Sequence, residues 1–172
     1  MRIGLLLTFL LATIIPAAAQ QPGDTNWDDW RFLLGKWNAE GGGQPGQAST
    51  GGFSFEPDLQ GKILVRRNYS EYPATGKNSA FRHDDLMVIY QEPKATRAVY
   101  FDNEGHAIHY SVAFSEDRKT ITFVSDVTPS TPTFRLIYCR LKDNSLSIEF
   151  DIAPPGKPDS FSKYVEGIAK RK

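Results

Sequence analysis

Apolar and polar residues alternate with a period of two along almost the whole chain after Lys36, in runs too short for anything but strands. Bounded by Gly, Pro, Asn and Asp, these runs predict ten β-strands: 36–41, a segment about Phe53-Ser54-Phe55, 62–72, 85–91, 96–102, 106–114, 119–126, 133–141, 145–152 and 160–170. Connections such as Glu92-Pro93-Lys94-Ala95, Asn103-Glu104-Gly105 and Lys142-Asp143-Asn144 are short, so consecutive strands are expected to pair as antiparallel hairpins. One stretch departs from the rule. Trp27, Trp30 and Leu34 fall at i, i+3 and i+7 behind a capping Asn26, with Asp28 and Asp29 in the first turn, which predicts a short helix over 27–34 that Gly35 ends.

A ten-stranded meander left open would expose two strand edges, whereas closure removes both. The expected fold is therefore all-β: a single ten-stranded antiparallel up-and-down barrel, with the short N-terminal helix plugging one end. A two-sheet sandwich is the alternative, because the sequence does not show whether the first and last strands pair. No internal repeat or second domain boundary is visible.

Residues 1–19 stand apart. Arg2, the apolar run from Ile3 to Ile15 and Pro16-Ala17-Ala18-Ala19 have the order of a secretory signal peptide. The run has thirteen residues, against roughly 20 for a bilayer span. Export, to the periplasm or outside the cell, is the expectation, with 20–25 a flexible leader and 26–172 the folded domain. The 153 residues left suffice for one domain with a sizeable core. They carry 19 basic and 20 acidic side chains. No concentrated positive face is expected, which argues against a nucleic-acid partner. Cys139 is the single cysteine, so an intramolecular disulfide and a thiolate metal cluster are both excluded; it reads as a buried, inert thiol.

Phe32-Leu33-Leu34-Gly35-Lys36-Trp37, Gly61-Lys62-Ile63-Leu64 and Tyr164-Val165-Glu166-Gly167 resemble motifs of an uncharacterised family of bacterial exported lipocalin-like proteins, and more broadly the calycin barrels: lipocalins, fatty-acid-binding proteins and nitrobindin-like proteins. The resemblance implies a calycin-like barrel over 26–172. It also implies that Trp37 closes the narrow end, packed against a basic side chain of a late strand that Arg171 or Lys170 could supply. The nitrobindin-like branch further implies haem, held by a histidine near the chain's end. The chain departs from that pattern, since residues 160–172 contain no histidine and His83, His106 and His109 are the only three. Haem is disfavoured and no cofactor is expected.

Candidate chemistry is sparse. His106 and His109 lie an odd number of residues apart in a strand, on opposite faces, and so do not share one metal ion. Asp84-Asp85 and Asp28-Asp29 read as solvated or capping pairs. No phosphate-binding loop, nucleophile elbow or dinucleotide fingerprint is present. Charged residues inside strands are more informative, because an unpaired buried charge is costly. Alternation groups Arg67 with Ile63, Val65 and Tyr69, so a cavity-facing Arg67 could hold a ligand carboxylate; Arg135 is a second candidate, and Glu149 reads as facing solvent. Tyr69, Tyr90, Tyr100, Tyr110 and Tyr138 combine ring surface with a hydroxyl, as pocket residues do. With Trp37 they complete the set of candidate ligand contacts; no catalytic residue is assigned.

The expected function is that of an exported binder of a small apolar or amphipathic molecule. An enzyme in the same cavity and a structural or adaptor domain with a filled barrel are the alternatives. At least two inward ionisable side chains within hydrogen-bond reach would favour the enzyme, and a filled interior the adaptor.

Overall fold

A computed structural model describes residues 26–40, 50–76 and 78–172; the expected signal peptide and leader lie outside them. Ten strands follow one another: β1 Gly35–Glu40, β2 Thr50–Asp58, β3 Ile63–Tyr72, β4 Phe81–Glu92, β5 Ala95–Asp102, β6 Ala107–Phe114, β7 Thr120–Ser125, β8 Thr133–Arg140, β9 Leu146–Ala153 and β10 Ser162–Arg171. Each pairs antiparallel with its neighbours in sequence, and β1 pairs with β10 through Trp37 opposite Arg171, Asn38 opposite Lys170, Ala39 opposite Ala169 and Glu40 opposite Ile168. The barrel is closed, which rules out the sandwich. Its architecture, a closed ten-stranded antiparallel barrel, is compatible with a calycin-like fold.

Two expectations about local structure need correction. β2 is much longer than the Phe53–Phe55 core and takes in Gly51, Gly52 and Pro57. The glycines belong in it because β2 approaches β3 closely: a Cβ on Gly51 would lie 2.4 Å from the Tyr69 carbonyl oxygen. The helix over 27–34 is in fact one 3-10 turn, Asp28–Trp30, followed by a turn through Leu33. Its bonds run from the amides of Trp30, Arg31 and Leu33 back to the carbonyls of Trp27, Asp28 and Trp30. Eight residues are too few to support an α-helix without tertiary help. What this segment needs is the placement of two side chains, and a tighter turn delivers it. Asn26 still acts as expected, its Oδ1 accepting from the Asp28 amide at 2.8 Å.

Those side chains are Trp30 and Leu33, both fully buried. Trp30 meets Phe114 and Phe123 edge-to-face, with centroids 5.4 and 6.0 Å away. Trp27 Nε1 donates to the Gly61 carbonyl at 2.7 Å, and Gln91 Nε2 to the Asn26 carbonyl at 3.0 Å. Residues 26–33 therefore lie across the end of the barrel that carries the β2–β3, β4–β5 and β6–β7 turns.

Gly35 and Trp37 complete the closure. Gly35 has φ +105°, in the region that disfavours a side chain, and a Cβ there would come within 2.8 Å of Arg171 Nη1. Arg171 donates to the carbonyls of Leu34 and Phe32, and its guanidinium lies 4.4 Å from the Trp37 ring centroid. Trp37 Nε1 donates to the Leu33 carbonyl at 2.8 Å. The expected basic partner of Trp37 is thus Arg171. Phe53, Phe55, Phe123 and Tyr138 continue the aromatic packing upward from this floor.

Candidate functional site

Above the aromatic floor the barrel opens into a cavity of about 650 Å³. Its wall is apolar and aromatic on the side of β8 and β9, where Phe134, Leu136, Ile148, Phe150 and Ile152 face inward. The β3–β6 side is polar. There Arg66, Asn68, His83, Asp85, Tyr100, Asp102, Glu104 and His106 line one continuous surface that runs from the interior to the mouth.

Strand register explains why these groups meet. Ser70 stands opposite His83, Asn68 opposite Asp85 and Arg66 opposite Met87, all on the inner face, while Asp85 pairs with Asp102 across β4 and β5. Arg66 Nη1 forms a buried ion pair with Asp85 Oδ1, and Asn68 Nδ2 donates to Asp85 Oδ2 at 2.7 Å. His83 Nε2 lies 3.0 Å from Tyr100 Oη and 3.4 Å from Asp85 Oδ2, while its Nδ1 lies 2.8 Å from Glu104 Oε1. Tyr100 Oη donates to Asp102 Oδ2 at 3.2 Å, and the same oxygen meets His106 Nδ1 at 2.8 Å. Eight side chains are thereby linked in one network that runs from Arg66 to Glu104 and His106.

The charge states follow from these contacts. The hydrogen bond to Asp85, helped by Glu104, outweighs burial and raises the His83 imidazole from 6.5 to about 9, so it is a cation at neutral pH. Burial alone would raise Asp85, but the Arg66 charge, His83 and Asn68 hold it below its usual value. Arg66 is likewise opposed by burial and held charged by Asp85. Burial pushes up the hydroxyls of Tyr100, Tyr110 and Tyr138, and the Asp85 and Asp102 charges add to the rise at Tyr100.

The expected site residues divide. Tyr100, Tyr110 and Tyr138 line the cavity. Trp37 does not: it is buried below, in the closed end. Arg67 is a correction, since it is exposed on the outer face and Arg66 holds the inward position. Tyr69 borders the mouth, yet its ring lies under the Arg82 guanidinium at 4.5 Å and it alternates outward with Arg67. Tyr90 stands outside the cavity opposite Arg97. Arg135 is also outside, bonded to Asp151 at 2.8 Å and stacked on Phe161 at 4.1 Å. Glu149 faces outward as expected, 3.1 Å from Lys163 Nζ. His109 is exposed on the outer face, opposite in direction to His106. Cys139 is half-buried rather than buried.

Arg66, Asn68, His83, Asp85, Asp102 and Glu104 escaped the sequence reading. Asp85 looked like half of a solvated pair, but Asp84 alone is on the outside, bonded to Arg82. On β3 the signal was ambiguous because Val65 on the outer face is nearly as buried as Leu64 on the inner one. With both faces apolar, alternation gives the period and not the direction.

No helix among the described residues is long and apolar enough to cross a membrane. No protein-family model matches the chain, and no curated protein matches it.

Proposed function

We propose that the protein binds a small amphipathic molecule in the barrel, its apolar body against Phe134, Leu136, Ile148 and Phe150 and its polar end toward the His83–Tyr100–Asp102 wall. The observation that carries this is the two-sided cavity, whose volume falls within the 300–1,000 Å³ common to small-molecule sites. A carboxylate is not the favoured polar end. Arg66 is already neutralised by Asp85, and Asp102 and Glu104 add negative charge at the mouth, so a neutral hydrogen-bonding or cationic group fits better. The lipocalin-like resemblance and the signal-peptide pattern of residues 1–19 support an exported binder of this kind, periplasmic or secreted.

An enzyme in the same cavity is the second reading, because far more than two inward ionisable groups lie within hydrogen-bond reach. A general base, however, works best with a pKa near the operating pH. His83 is held as a cation and Tyr100 as a neutral phenol, so the groups best placed for proton transfer are in the wrong states for it. Binding therefore stands first. A cavity of this size counts against the filled-barrel adaptor.

The test is titration of a neutral fluorescent probe, N-phenyl-1-naphthylamine, into wild type and Ile108→Trp, a variant that puts an indole into the cavity. Saturable binding by wild type, weakened at least tenfold by the filled variant, is expected. Absence of binding by wild type, or equal binding by both, overturns the proposal.

A further inference from the structure

We propose that the mouth of the barrel carries a site for a divalent transition-metal ion, held by His83, Asp102 and Glu104. The three come from separate places, β4, the end of β5 and the β5–β6 turn, yet each presents a ligand atom within 4.8 Å of the other two. First-row metal ions hold nitrogen and oxygen ligands at about 2.0–2.2 Å, which sets neighbouring ligand atoms roughly 3 Å or more apart. His83 Nδ1 and Glu104 Oε1 are at 2.8 Å and need to part only slightly to admit an ion.

The surroundings of the three residues are what a metal site requires beyond its ligands. A ligating imidazole is oriented by what its other nitrogen bonds to. With Nδ1 toward Glu104, His83 Nε2 points at Tyr100 Oη, 3.0 Å away, and at Asp85 Oδ2, 3.4 Å away. Asp85 is itself fixed by Arg66 and Asn68. The Asp102 side chain is only 4% exposed, and its Oδ1 accepts the amides of Glu104 at 3.0 Å and His106 at 2.9 Å. Its carboxylate is thus aimed before any ion arrives. Two carboxylates balance a dication, and one imidazole with two oxygens suits zinc, cobalt or manganese better than a soft monovalent ion. When an ion binds, the proton on His83 Nδ1 leaves to solvent and the nitrogen lone pair takes the metal. Such an ion would face the cavity, with positions left for water or for a donor atom of a bound molecule.

This proposal does not depend on an organic ligand and is tested without one. Protein cleared of metal with a chelator is titrated with Co²⁺, followed by calorimetry and by the visible absorption of the ion. Wild type is expected to bind one equivalent. Glu104→Gln, at an exposed position that leaves the barrel intact, should weaken it at least tenfold, and His83→Ala should abolish it. His109→Ala, on the outer face, should bind as wild type does. Absence of stoichiometric binding by wild type, undiminished binding by Glu104→Gln, or loss in His109→Ala overturns the site.

Discussion

The two ends of the barrel are built on opposite principles. At the closed end, Trp30, Leu33, Trp37, Phe53 and Phe55 fill the space with rings and aliphatic chains, and the few polar atoms there bond to nearby carbonyls. At the open end the same strands carry ionised side chains into a space that they do not fill. A closed end can be held by area alone, since burial of each large apolar side chain contributes about 1.5–3 kcal/mol without demanding a particular partner. The polar wall has no such tolerance. Each of its charges is acceptable only while its partner is present, so removing one group exposes the desolvation cost of the other. Apolar packing is concentrated below and paired charge above.

Three measurements put that contrast under strain. The largest effect should come from Trp37→Ala, which leaves a void beneath Phe53 and strips Arg171 of its stacking partner: a loss of about 3–5 kcal/mol in denaturant unfolding. An unchanged midpoint would mean that the floor is not where stability resides. Next comes Asp85→Ala, which strands the buried Arg66 and should cost about 3 kcal/mol. The comparison is sharpened by the pair Arg66→Met with Asp85→Leu, expected to unfold within about 1 kcal/mol of wild type. A double variant as unstable as the single one would show that the pair contributes more than mutual neutralisation. The smallest effect is a pH dependence. Because the folded imidazole of His83 titrates near 9 and the unfolded one near 6.5, its contribution is complete below 6.5 and disappears as the pH rises through 9. With chelator present, the wild-type melting temperature should fall from pH 6 to pH 10 by more than that of His83→Gln. Parallel curves would remove His83 from the network.

Local pattern was enough for much of the fold. Ten period-two segments separated by turn residues are ten strands, and short connections make them consecutive hairpins, because both properties belong to neighbours in sequence. Gly35 and Trp37 announced the closed end only through the resemblance of their short motif to the calycin barrels, and the structure adds the positive φ that Gly35 adopts there. Arg171 could be anticipated only as one of two basic residues; the register of β1 against β10 chose it.

The polar wall was legible only in fragments. His83, Asp85, Asp102 and Glu104 are each unremarkable in the sequence, and nothing within a strand ties one to another. They meet because β4 and β5 are aligned with Asp85 opposite Asp102, an alignment set across the barrel rather than along the chain. A shift of one residue would have turned the strand residues His83, Asp85 and Asp102 outward, as it is Arg67 rather than Arg66 that faces outward on β3. What the sequence by itself determined is the period of every strand and the pairing of consecutive strands, since these follow from side-chain alternation and loop length. Which face of each strand looks inward, where the packing stops and the cavity begins, and which charges become partners were decided by closure of the barrel, because only then does each side chain acquire the neighbours that fix its burial and its charge.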